Sequence, residues 1–184
     1  MTTITKKQFK ETYNSLLFVS KALPKNNRND TRYYNLQYAM VKDNKVHCTD
    51  GSRLHIADLS ELNLKDGIYK MTLNAKEINL IIHDEKINYP DVDRVIPDYD
   101  KLEEPLKDGC HITPWIVNKD ALDITCSRVI GELWRSGPAV NYTLLKDLTL
   151  IDDWKIYSRE ATSPVLFVNC KHKAVIMPFR KEHK

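Results

Sequence analysis

The side chains best suited to covalent or metal chemistry are six histidines, four cysteines and a few clustered carboxylates, and their spacing argues against catalysis. His47, His55, His83, His111, His172 and His183 stand apart from one another. None sits beside a Ser or Cys in a nucleophile context, so no general base is paired with a group it could activate. Cys48, Cys110, Cys126 and Cys170 include no Cys-x-x-Cys pair, and no two histidines have helical ligand spacing, which argues against zinc. Glu103-Glu104 and Asp152-Asp153 are acidic neighbours of the kind that surface loops solvate. A metal-dependent nuclease would need carboxylates converging from several strands. No Gly-rich phosphate loop is present. The spacing therefore implies no metal and no cofactor, and a small nuclease or other enzyme is the least supported class.

The remaining chemistry is that of recognition. Cys48-Thr49-Asp50-Gly51-Ser52-Arg53-Leu54 contains an Asp-Gly turn signal, read as a two-residue hairpin with positive φ at both centres. Tyr89-Pro90-Asp91-Val92-Asp93-Arg94-Val95-Ile96-Pro97 is a Pro-bounded turn and strand. Ser163-Pro164-Val165 and Val175-Ile176-Met177-Pro178-Phe179-Arg180 look like strand ends with a basic tail. A net charge of +3 and a pI near 8.6 permit nucleic-acid binding without demanding it. Lys7, Lys10, Asn14 and Lys21 fall on one helical face, either solvated or turned to a polyanion. Arg28 lies in the polar, basic loop from Pro24 to Arg32. Arg32-Tyr33-Tyr34 reads either as a phosphate-pairing and base-stacking group or as a strand start with cross-strand tyrosines.

The elements that must hold these residues follow from hydrophobic period and turn chemistry. Thr5 to Gln8 fits a capping box, opening a helix that buries Phe9, Tyr13, Leu16 and Leu17 and stops before Pro24. Tyr34, Leu36, Tyr38 and Met40 alternate with Tyr33, Asn35, Gln37 and Ala39 as a strand. Turns at Asp43-Asn44 and Asp50-Gly51 extend it into an antiparallel meander through Ile56. Gly67 to Leu73 reads as a strand, followed by a short helix over Ala75 to His83 capped by Asn74. Asp84 to Gly109 is mostly loop, and residues 110–135 hold strand-like apolar runs. Asn141 caps a helix within Pro138 to Leu150 that buries Leu144, Leu145 and Leu148. Trp154 to Tyr157, Val165 to Val168 and Ala174 to Met177 are closing strands. The two Asn-capped segments suggest a weakly repeated unit.

In this order the three recognition runs resemble the bacterial sliding clamp, the beta subunit of DNA polymerase III. In that family they meet around one groove that takes short peptide motifs from polymerases, the clamp loader and repair proteins. The resemblance implies a groove of Thr49, Gly51, Arg53, Leu54, Val95, Pro97, Val175, Met177, Pro178, Phe179 and Arg180. Ser52 replaces the family's usual His or Tyr, and Phe179 stands where Met is usual. It also implies DNA contacts from Lys7, Lys10, Lys21, Arg28, Arg32, Tyr33, Tyr34, Lys76 and Lys146, facing phosphates without reading bases.

The expected fold is α+β and DNA-clamp-like, with antiparallel sheets outside and two or three helices on one basic face. Residues 1–97 resemble the clamp middle domain, residues 138–184 the end of its C-terminal domain, and residues 98–137 are unassigned. The expected function is a non-catalytic processivity or tethering factor on double-stranded DNA. It would recruit a DNA polymerase and other clamp-binding-motif proteins, work with a clamp loader and form a homo-oligomer. The alternative is a non-encircling adaptor or decoy that competes for clamp partners. A chain of 184 residues that is 42% apolar and 29% charged can bury a sizeable core. The N-terminus lacks an apolar signal segment and no run approaches a membrane span. Those features predict a soluble protein of a reducing cytoplasm with free thiols.

Overall fold

A computed structural model of the chain describes residues 1–24, 35–98, 138–151, 153–159 and 162–178, and β-branched and alternating apolar runs form the strands among them. The chain divides into two units, the first ending at Val92 and the second beginning at Asp93. The expected strands of residues 110–135 lie outside the described residues.

The first unit carries β1 (Thr2–Thr5), α1 (Lys10–Ser20), β2 (Ala39–Lys42), β3 (Lys45–Thr49), β4 (Arg53–Asp58), β5 (Gly67–Leu73) and β6 (Glu77–Ile82). Its strands run in the order β1-β6-β5-β2-β3-β4, and the pairings within it are antiparallel. Asp43 and Asn44 take φ values of 51° and 60°, so β2 and β3 are joined by the two-residue turn that Asp-Asn favours. The meander from β2 to β4 is the expected one.

α1 packs on β3 and β4, and on β1 and β6, burying Thr12, Tyr13, Ser15, Leu16, Phe18 and Val19. Fully burying a side chain such as Leu16 or Phe18 contributes about 1.5–3 kcal/mol. This face is rotated from the expected one. Phe9 is half exposed and Leu17 only half-buried.

Four further expectations are corrected. Thr5 ends β1 rather than capping a helix. Its hydroxyl does bond Gln8 Oε1 at 3.0 Å, but the cap position is Phe9, with no side-chain cap bond. The Thr-Thr-Ile-Thr run is a strand because β-branched residues fit a pleated edge, and it was not expected. The row from Tyr34 is cut by a short 3-10 turn at residues 35–37, and Ala39 and Val41, not Met40, face the core. Residues Ala75 to His83 form no helix. Asn74 Oδ1 accepts the Lys76 and Glu77 N–H groups at 2.9 and 2.8 Å, which closes a β5–β6 hairpin. Ile78 and Leu80 then alternate inward as a strand requires. The suggested repeat of two capped helices thereby falls away.

The second unit contains α2 (Tyr142–Leu148), β7 (Lys155–Tyr157), β8 (Val165–Val168) and β9 (His172–Ile176). Its strands run antiparallel in the order β9-β8-β7. Asn141 caps α2 as expected, accepting Thr143 N–H at 3.0 Å. Leu145 and Leu148 are fully buried, while Leu144 is half-buried. Trp154 donates its indole N–H to the Leu148 carbonyl at 2.9 Å, tying the helix end to the strand that follows. The described residues thus hold two α-helices and antiparallel sheet, the α+β arrangement expected.

Candidate peptide-binding cleft and basic face

The Thr49-to-Leu54 run builds a tight turn before it can do anything else. Between β3 and β4 lie three residues, Asp50, Gly51 and Ser52, and only Gly51 has positive φ, at 85°. The two-residue hairpin expected from Asp-Gly is therefore replaced by a wider, side-chain-braced turn. Thr49 Oγ1 donates to the Arg53 carbonyl at 2.7 Å and accepts from Gly51 N–H at 3.1 Å. Asp50 Oδ1 accepts from the Ser52 and Arg53 N–H groups. Its other oxygen takes Arg53 Nε at 3.1 Å.

Arg53 and His55 project from one face of β4 toward the end of α1. A helix C-terminus presents carbonyls without intrahelical partners and the negative end of the helix dipole. The Arg53 guanidinium donates to the Lys21 carbonyl, and His55 Nδ1 lies 2.9 Å from the Phe18 carbonyl. Because a carbonyl only accepts, Nδ1 carries the proton. Burial, and secondarily the Arg53 charge, push the His55 pKa down to about 3 against the partial offset of the Phe18 bond, so the ring is neutral. It stacks on Phe18 at 4.3 Å. Leu54 alternates with these residues, points to the other face of the strand and is buried. Thr49 and Arg53 are thus largely spent inside the first unit. Burial also pushes the Cys48 thiol far up, leaving it protonated and unreactive at neutral pH.

The second unit forms an open cleft of about 410 Å³. The β8–β9 register pairs Val165 with Ile176, so the residues flanking that pair, Pro164 and Met177, fall side by side at the sheet end. A 3-10 turn over Val92–Val95 delivers Val95, Ile96 and Pro97 as another wall. The connection from β7 to β8 contributes Arg159 and Ser163, and Arg94 and Asp98 complete the rim. Val95 is 41% and Met177 39% exposed, an apolar surface left open to solvent.

Of the expected groove residues, this cleft gathers Val95, Pro97 and Met177. Val175 lies beneath, buried in β9, and Pro178 is half-buried just beyond it. Thr49, Gly51, Arg53 and Leu54 belong to the first unit. Phe179 and Arg180 lie outside the described residues. Ile96, Arg94 and Arg159 were not singled out as site residues. Pro164 could have been found by counting back from a β8–β9 pairing, whereas nothing local marks Arg159.

The expected DNA-contacting residues separate as well. Lys6 N–H donates to the Lys76 carbonyl at 2.8 Å, which joins the end of β1 to the β5–β6 turn. Lys7, Lys10 and Lys76, all exposed, therefore share one end of the first unit with Lys6. Lys6 itself lies over the Tyr13 ring at 5.8 Å. Lys21 is half-buried at the other end of α1, about 16 Å along the axis from Lys10. Lys146, on α2 in the second unit, rests its ammonium 4.6 Å above the Tyr142 ring. Arg28, Arg32, Tyr33 and Tyr34 lie outside the described residues. Among the described residues, no group of three metal-ligating side chains comes together, and no helix is long and apolar enough to cross a membrane.

The described residues join α-helices to antiparallel sheet, with an apolar cleft where two paired strands end, and the structure matches the DNA-clamp class of fold. Within that class the structure is similar to bacterial DNA polymerase III beta subunits. The Thermotoga maritima beta subunit matches with a TM-score of 0.54 at 13% identity, over 98% of this chain and 65% of that one. The Pseudomonas aeruginosa sliding clamp matches at 0.53 and 17%, over 98% and 66%. A Helicobacter pylori beta clamp bound to a DNA ligase peptide matches at 0.53 and 12%, over 92% and 63%. The chain spans about two thirds of the length of these clamps. No protein-family model and no curated protein matches it. At such identities the likeness is one of fold.

Proposed function

We propose that the protein is a non-catalytic, sliding-clamp-like tethering factor, which holds partner proteins on DNA through an apolar peptide cleft. The observation that carries this reading is the coincidence of two independent facts. Nearly the whole chain has the clamp fold, and Val95, Pro97 and Met177, chosen from sequence resemblance, line one cleft. A clamp of known structure is bound to a DNA ligase peptide, and an open apolar cleft in this chain suits the same kind of ligand. An apolar anchor buried there would supply most of the affinity, as small central clusters do at protein interfaces.

DNA is held without sequence reading in this proposal, by Lys7, Lys10 and Lys76 at one end of the first unit and by Lys21, Lys146, Arg28, Arg32, Tyr33 and Tyr34 elsewhere. Val175 and Pro178, next to Met177 in the same unit, would extend the cleft. A DNA polymerase, a clamp loader and self-association into a homo-oligomer belong to the same reading. The test is fluorescence polarisation with a labelled clamp-binding peptide of DNA ligase. Binding by the wild-type chain and at least a tenfold loss in Met177→Asp are expected. Absence of binding, or binding indifferent to that substitution, overturns the proposal. Methyl chemical shifts in the same titration report whether Leu54 and Met177 respond together.

A further inference from the structure

The first unit leaves an aromatic ring uncovered at the end where its lysines gather. Phe9 is 49% exposed and is the one aromatic among the large apolar side chains left exposed in the described residues. A single exposed apolar side chain is ordinary, but neither burial nor capping accounts for this one. Phe9 holds the N-cap position of α1 without a side-chain cap bond, where a short polar residue is favoured. Its neighbours Lys7 and Lys10 are exposed, and so are Lys6 and Lys76, which the Lys6 N–H joins through the Lys76 carbonyl. Leu73, 42% exposed, adjoins the same spot. Tyr13 stands one helical turn beyond Phe9, and its hydroxyl donates to the carbonyl of Asn74, the residue after Leu73, at 3.0 Å. Against the four ammonium groups stand Glu11 and Glu77, the latter accepting from the Asn74 side-chain amide at 3.1 Å.

A duplex offers phosphates to such an end but keeps its base faces stacked, whereas a single strand offers both. An aromatic ring set among ammonium groups is the combination that takes unpaired nucleotides without reading their sequence. Resting on the reading of this end as a DNA contact, we infer that it is a site for single-stranded DNA, in which Phe9 stacks on an unpaired base while Lys6, Lys7, Lys10 and Lys76 hold the flanking phosphates. Phe9 then separates unpaired from paired DNA. The lysines do not, because both forms present phosphates.

The experiment measures binding of the full chain to three labelled probes by fluorescence polarisation at fixed salt: an oligothymidylate of about 12 nucleotides, an abasic strand with as many phosphates, and a blunt duplex of the same length. The oligothymidylate should bind about fivefold to tenfold tighter than the abasic strand. Phe9→Ala should close that gap and leave the abasic strand and the duplex as they were, while Phe9→Trp should keep it. Unchanged binding of those two probes shows that the variant is folded, so a folding defect cannot imitate the result. Equal binding of the oligothymidylate and the abasic strand, or a Phe9→Ala loss shared by all three probes, overturns the single-strand site. The DNA reading of this end still stands in that case if replacing Lys7, Lys10 and Lys76 by Gln weakens every probe, and it falls if that replacement changes none. A Phe9→Ala effect confined to self-association in light scattering assigns the ring to a protein interface and overturns the proposal.

Discussion

His55 shows how a single residue can serve the fold and mimic a functional group. Its ring is sealed between Phe18 and the end of α1, with a pKa near 3 where the unfolded chain has one near 6.5. Between these values the unfolded state binds a proton that the native state refuses. Stability contributed by neutral His55 is therefore complete above about pH 6.5 and is lost as pH falls, at up to about 1.4 kcal/mol per unit. Urea unfolding at pH 7, 5 and 4 should show this slope, and His55→Phe should flatten it while costing about 1–3 kcal/mol at pH 7 through the orphaned carbonyl. Gly51 makes a second residue-scale case. An added methyl has room, its nearest neighbour being Leu36 at 4.0 Å, yet φ is +85°. Gly51→Ala should thus cost about 1–2 kcal/mol from backbone conformation alone, visible as a lower urea midpoint with an unchanged m-value.

Among the elements, two asparagines with the same local bonding lead to different structures. Asn141 and Asn74 each accept a backbone N–H from the second residue onward. One opens α2, and the other closes the β5–β6 hairpin. The difference lies downstream. After Asn141, Leu145 and Leu148 are spaced for a helix, while after Asn74, Ile78 and Leu80 are spaced for a strand pinned between β1 and β5. Ile81 and Ile82 obscured that alternation, which is why a helix was expected there. Asn141→Ala should cost about 1 kcal/mol by loss of the cap. Asn74→Ala should leave the Lys76 and Glu77 N–H groups without their turn acceptor, raising amide exchange at both more than at β3 or β4.

For the molecule as a whole, the tethering proposal makes electrostatic demands that single residues do not. If the Lys7, Lys10 and Lys76 end tracks phosphates, affinity for duplex DNA should fall steeply with salt and be indifferent to sequence. Replacing all three by Gln should reduce the slope of log K against log salt by about three. An unchanged slope would remove that end from the DNA contact. Light scattering measured beside this titration separates an assembly of several copies, as the clamp reading expects, from a strict monomer, which the adaptor alternative requires.

Short-range chemistry was legible in the amino-acid order alone. The Asp43-Asn44 turn, the β5 strand, the Asn141 cap and the paired final strands follow from φ preferences, side-chain capping and apolar period, each satisfied within a few residues. Tertiary contacts decided the rest. Arg53 spends its charge on a helix end 32 residues away because that end offers carbonyls lacking intrahelical partners. Arg159 reaches the cleft because the β7–β8 connection runs past Pro97, a position 62 residues earlier whose neighbourhood no local pattern encodes.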